Sequence, residues 1–142
     1  MIKISDLSVG DWVKVKECAY FPLDKPNDFL FPYAKVTALE DENCIIWLNT
    51  QAGEFCASLK NIESIPITAE ILEKNGFRKN GEYNEWNIGE WNERPFIGVS
   101  LDRQSMRVKY FGNDIFIENK VVYVHQLQHA LRLAGVEKEI NL

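Results

Sequence analysis

Ile67-Thr68-Ala69-Glu70-Ile71-Leu72-Glu73-Lys74-Asn75-Gly76-Phe77 encodes one short helix with both of its ends specified. The Thr68 hydroxyl can cap the first turn, and Glu70 and Glu73 put negative charge near the positive end of the helix. Ile67 and Leu72 stand at the two positions of a hydrophobic staple. Gly76 follows Asn75 where a left-handed residue ends a helix, which sets Phe77 to pack back on Leu72 as in a Schellman stop. The chain on either side of this helix follows two different patterns, so the helix marks the division of the molecule.

On the N-terminal side the sequence reads as short strands between turns. Trp12-Val13-Lys14-Val15-Lys16 alternates with its valines inward, after the turn-like Ser8-Val9-Gly10-Asp11. Tyr33 to Leu39, Asn43 to Asn49, Glu54 to Leu59 and Ile62 to Ile67 are four further strand segments, separated at Asp41-Glu42-Asn43 and Gln51-Ala52-Gly53. Five short strands with a long loop after the first predict a small SH3-like β-barrel over residues 1–67. That loop, Ala19 to Pro32, holds Tyr20, Phe21, Phe29 and Phe31 with Pro22, Pro26 and Pro32. An aromatic cluster of this kind either buries against a peptide or protein partner or closes the open end of the barrel, and the packing reading is preferred because unmatched apolar surface invites aggregation.

On the C-terminal side, residues 68–142 predict a small α+β unit: a helix over 68–76, strands within about 82–118 and a helix over about 122–134. Pro95 to Leu101 and Ser105 to Phe111 flank Asp102-Arg103-Gln104 as a hairpin, with Met106, Val108 and Tyr110 on one face, and Asp114 to Glu118 makes a third strand. From Val122 the period becomes helical. Val124, Leu127, Ala130, Leu131 and Ala134 share a face and Gly135 ends the run. Val136 to Leu142 is read as a short terminal strand or tail. Ile67 belongs to both the last barrel strand and the staple, so the halves are expected to be docked, with a functional cleft between the aromatic loop and the Tyr/Trp segment.

The stretch Ile65 to Phe77, together with Tyr123-Val124-His125-Gln126-Leu127-Gln128-His129-Ala130-Leu131-Arg132-Leu133, resembles a large group of small proteins common in gut-bacterial genomes and their prophages. The opening Ile4 to Val13 is similar to theirs as well. The resemblance implies an N-terminal SH3-like barrel followed by an α+β unit and brings no activity, cofactor or site residue with it.

Composition bounds the function. A chain of 142 residues with 46% hydrophobic and 12% aromatic content builds a core rather than a disordered tail. Its apolar runs are far shorter than the roughly 20 residues of a membrane span. Met1-Ile2-Lys3 leads into polar sequence without an apolar signal region, and a cytoplasmic protein is expected. Cys18, Cys44 and Cys56 lack a Cys-x-x-Cys spacing and are odd in number, so reduced thiols are expected, with Cys44 and Cys56 acting as small hydrophobes in strand-like runs. The net charge is −5; residues 1–67 hold 6 basic and 10 acidic side chains and residues 68–142 hold 10 and 11, which disfavours broad nucleic-acid affinity while leaving room for a local patch.

Three groups of residues invite a chemical reading. His125 and His129 are four apart on a helix, a spacing at which two imidazoles share a metal, but the intervening Gln-Leu-Gln lacks the glutamate of a His-Glu-x-x-His protease. With Arg132 they fall opposite the apolar stripe, so a solvated face is the expectation and no metal or other cofactor is assigned. Residues 82–93 repeat Glu82-Tyr83-Asn84, Glu85-Trp86-Asn87 and Glu90-Trp91-Asn92, in which flat rings beside amides and carboxylates suit sugars, bases or peptides. Glu85 and Glu90 have the residue types of a glycosidase pair, although Trp86 and Trp91 read first as core. Arg103, Arg107 and Lys109 supply cations for a phosphate.

No phosphate loop, dinucleotide turn or nucleophile elbow occurs in the sequence. The reading that results is a non-enzymatic module binding a protein partner, with Tyr20, Phe21, Phe29, Phe31, Trp86, Trp91 and Arg107 as candidate contacts. Sequestration of a small nucleotide or sugar is the second reading, and RNA binding by the barrel the third.

Overall fold

A computed structural model describes residues 2–16, 32–40, 45–50, 53–81, 85–90, 95–110, 113–118 and 122–142, with backbone alone for 110, 113, 114, 117 and 118. The fold is α+β and mostly strand, and it divides into two compact units, Met1–Ile65 and Pro66–Leu142. Among the described residues no helix is long and apolar enough to cross a membrane.

The first unit opens with a 3-10 turn, Ile4–Asp6, tied by the Lys3 amide donating to Asp6 Oδ2 at 3.0 Å. Asp11 then organises the entry into the sheet. Its amide donates to the Ser8 carbonyl at 3.1 Å, its Oδ2 accepts the Ser8 amide at 2.8 Å, and Gly10 takes φ +89° at the turn position that demands it. The sheet consists of β1 (Trp12–Val15), β2 (Tyr33–Glu40), β3 (Ile45–Thr50), β4 (Gly53–Ser58) and β5 (Ile62–Glu63), all antiparallel in the order β4-β3-β2-β1-β5. The return of β5 to β1 gives a curled sheet, a half-barrel whose edges are β4 and β5, where the spacing predicts a small barrel. A register shift between Val36 and Ala38 adds to the bend. Val13, Val15, Ala34, Val36, Ile46, Leu48, Ala57 and Ile62 point inward and form the core, with Leu39, Phe55 and Leu59 packed at its border.

β5 is shorter than the strand expected from Ile62 to Ile67. The apolar alternation continues through Ile65 and Ile67, but the chain changes partner: Pro66 bridges to Tyr123 and the Ile67 amide donates to the Val122 carbonyl at 3.0 Å. Cys56 also departs from expectation. It is exposed, because Phe55 and Ala57 take the inward parity of β4 and leave Cys56 opposite Trp47 on the outer face.

In the second unit α1 spans Ala69–Lys74, with the Ile71 amide donating to Thr68 Oγ1 at 3.3 Å. Its far end is a complete Schellman motif: Gly76, at φ +75°, donates to Glu73 and Phe77 donates to Leu72. The longer helix α2, Val124–Leu133, ends the same way, with Gly135 at φ +71° donating to Arg132 and Val136 to Leu131. Between them β6 (Arg78–Asn80), β7 (Glu85–Ile88), β8 (Phe96–Ser100), β9 (Ser105–Tyr110) and β10 (Asn113–Glu118) form an antiparallel meander in sequential order. Val124, Leu127, Ala130, Leu131 and Ala134 are all buried, as are Trp86, Ile97, Val99, Met106 and Val108 on one face of the sheet, and α2 packs on that sheet.

Residues 136–142 form no strand; they run as a pinned tail. The clamp is Asn75, whose side chain donates to the carbonyls of Ile71 and Asn141, each at 2.8 Å, and accepts the Asn141 amide at 2.9 Å. Lys74 Nζ donates to the Leu142 carbonyl, and Ile140 is buried beside this clamp. A residue that reads as a helix stop thus satisfies the backbone of a segment 66 positions away.

Candidate functional site

Side chains alternate across a strand, so pairing register decides which residues of the second sheet share its outer face. Phe116 of β10 lies directly opposite Arg107 of β9, Arg107 opposite Gly98 of β8, and Gly98 opposite Asn87 of β7. This row belongs to the face opposite Trp86, Val99 and Met106, which pair with one another on the core side. One step along, Glu85, Ser100 and Ser105 form a parallel row.

The geometry confirms the parity. The Arg107 guanidinium sits 5.6 Å from the centre of the Phe116 ring, a cation–π contact worth about 0.5–1 kcal/mol at an exposed position. Phe116 is nevertheless 54% exposed. On the other side of Arg107, Gly98 is buried, and a Cβ there would stand 2.3 Å from Glu85 Oε1 and 3.2 Å from Phe96 Cε1. The half-buried Glu85 carboxylate therefore lies across Gly98 and covers its peptide, and an anion, a cation and an aromatic ring follow one another along this face. Together these groups supply a hydrogen-bond acceptor, a planar five-donor group and an apolar ring.

The sequence candidates distribute as follows. Arg107 is central to this row. Trp86 is only 6% exposed and belongs to the core face, with Lys79 Nζ 5.9 Å from its ring, so its role is packing and its ring is closed to a partner. Glu90 is exposed beyond Gly89, whose φ of +80° and close approach to the Pro95 carbonyl leave no space for a side chain. Tyr20, Phe21, Phe29, Phe31 and Trp91 lie outside the described residues. Phe116 was not singled out by the sequence, although the signal was present: Ile115 and Ile117 flank it with the opposite parity.

The histidine pair requires a correction. His125 is 4% exposed rather than solvated, with Tyr123 stacked at 5.7 Å and 11° and His129 edge-on at 6.2 Å and 76°. Gln128 is buried on the same flank while Arg132, one turn further on, is exposed, so α2 buries its polar flank only at its N-terminal end. Among the described residues no group of three or more His, Cys, Asp or Glu side chains assembles to hold a metal ion. A shallow open cleft of about 600 Å³ lies at the other end of α2, lined by Arg132, Gly135, Val136, Glu137, Lys138 and Glu139. Its charges are of both signs.

Comparison with protein-family models, with curated proteins and with solved structures finds no match to this chain.

Proposed function

We propose that this protein is a non-enzymatic binding module that recognises a protein partner through the outer face of its second sheet. The observation that carries the reading is the exposed Phe116 ring held against Arg107. A single exposed apolar side chain needs no explanation. Here the ring is coupled to a guanidinium, and arginine and aromatic residues are the types that dominate protein interfaces when water is excluded from them. Glu85 beyond Gly98 adds an acceptor that fixes register on the partner. The resemblance to small gut-bacterial and prophage proteins accords with an adaptor role in a mobile element.

The test is affinity capture from a bacterial lysate with the full chain, comparing wild type, Phe116→Ala and Arg107→Lys. Contacts of this kind are worth about 2 kcal/mol or more when buried, so each variant is expected to recover the specific partner at least roughly thirtyfold less well. Lysine keeps the charge and loses the planar fork, so it does not restore binding. Equal recovery by all three proteins overturns the proposal.

A further inference from the structure

The tail of the second unit sits on α1 in the way a protein holds an extended peptide. Asn75 is 1% exposed at the end of α1, and its side-chain amide both donates to the Asn141 carbonyl and accepts the Asn141 amide. It thus reads one stretch of backbone and no side chain. Ile140, also 1% exposed, is the apolar anchor beside it. Lys74 Nζ donates to the Leu142 carbonyl, and Lys138 Nζ would stand 3.5 Å from a Cβ on Gly76, at the end of α1 that favours a cation.

Between this seat and α2 the chain is a short exposed connector. Gly135, at φ +71°, turns it out of the helix, and Glu137, Lys138 and Glu139 are all exposed. Gly135 donates to Arg132, Val136 to Leu131 and Lys138 to Val136, all of them local bonds. The open cleft here is lined by Arg132 and Lys138 and by Glu137 and Glu139, two charges of each sign. A patch whose charges cancel in this way is complementary to itself about a two-fold axis. On the last turn of α2, next to this patch, Leu133 is 46% exposed.

We infer that a second copy of this chain docks at this end of α2, the two copies exchanging residues 136–142 so that each tail enters the Asn75 seat of the other. The exchanged segment is identical, so every contact of the seat forms again in the pair. The pair then differs from two separate chains in the hinge, in the surface newly covered and in the entropy of association. Gly135 opens, Leu133 is covered by its counterpart, and Arg132 and Lys138 of one copy meet Glu137 and Glu139 of the other. A foreign partner would have to supply a branched apolar anchor followed by a free backbone for Asn75; a second copy carries both.

The experiment is size-exclusion chromatography with light scattering on the full chain across the micromolar range, together with amine crosslinking of an equal mixture of isotopically light and heavy protein combined before incubation. The linkage read is Lys74 to Lys138, both at the seat. The expected result is a concentration-dependent dimer in which roughly half of these crosslinks join light to heavy chains. Gly135→Ala strains only the closed turn, since a Cβ there meets nothing within 4 Å, and with two hinges relieved it raises the association constant about 30-fold. Leu133→Ser leaves the circular dichroism unchanged and weakens the dimer by about tenfold or more. Asn75→Ala abolishes the dimer. Three outcomes overturn the inference: a monomer at every concentration in both wild type and Gly135→Ala, a dimer whose Lys74–Lys138 crosslinks are all of one mass, or a dimer indifferent to both Gly135→Ala and Leu133→Ser. A monomer that binds a labelled Val136–Leu142 peptide assigns the seat to foreign segments and equally overturns the exchange.

Discussion

The two sheets of this protein have five antiparallel strands each and bury one face by different means. In the first, a strand of two residues, β5, returns to pair with β1 instead of continuing past β4, and the resulting curl lets the sheet enclose its own core. The second is a plain meander in which every strand pairs with its sequence neighbours; its apolar face is buried by α2. Connectivity thus decides what must cover a sheet: a curled one covers itself, and an uncurled meander requires another layer. The same contrast extends to the outer faces. That of the half-barrel mixes the lysines and rings of β1 and β2 with the carboxylates of Glu40, Glu54 and Glu63, whereas that of the meander places single residues of opposite charge on either side of Gly98.

The contrast can be broken most forcefully at the covering layer. Leu127 is fully buried on α2, and Leu127→Ala is expected to cost about 2–5 kcal/mol in urea unfolding. Because Trp86 lies in the same unit, its emission should shift to the red in this variant; Leu48→Ala, equally buried in the half-barrel, should cost as much and leave Trp86 emission in place. A smaller but more pointed loss follows from Asn75→Ala. It strips three hydrogen bonds from the tail clamp and leaves the Asn141 backbone unpaired, a cost of about 1–3 kcal/mol, with faster amide exchange at Asn141 as its signature.

Two glycines of the second sheet sharpen the comparison further. A Cβ at Gly89 meets the Pro95 backbone at 2.3 Å in a left-handed conformation, so Gly89→Ala should cost more than about 1 kcal/mol. At Gly98 the obstacle is the tip of Glu85, which can rotate away; Gly98→Ala should change stability by less than about 1 kcal/mol while displacing the carboxylate from the outer face. Partner capture weakened at preserved melting temperature is the expected result. The smallest effect belongs to the half-barrel seam: Glu63→Gln removes a half-exposed ion pair with Lys16 and should alter stability by at most about 0.5–1 kcal/mol. A larger loss would mean that charge, rather than the backbone pairing and burial of Ile62, holds β5 against β1.

Much of the architecture was legible because it rests on local rules. Two features read from Ile67 to Phe77, the Thr68 cap and the glycine stop, are present in the structure. The first four strands of the half-barrel and the hairpin of β8 and β9 also lie within a residue or two of the sequence reading, whereas β5 stops four residues short of it. β6 was missed for a physical reason: Arg-Lys-Asn carries no apolar alternation, and Arg78–Asn80 is a strand because its backbone finds β7. His125 was misplaced because the width of the buried arc on α2 changes along its length, which a helical wheel cannot express.

Of the candidate site, Arg107 was named from the sequence and its neighbours were not. Glu85 stands 22 positions from Arg107, and only the β7–β8–β9 register sets the two on either side of Gly98. Phe116 reads as one aromatic among many until Arg107 lies over it.

By itself the sequence determined the helix ends, the inward parity of most strands and the total charge, because caps, alternation and ionisable groups act within a few residues or by simple addition. Tertiary structure decided which strand returns to β1, which polar residues share a face, and which distant segment the Asn75 side chain holds. Those outcomes depend on pairing between distant segments, and a backbone hydrogen bond carries no record of the side chains that it brings into line.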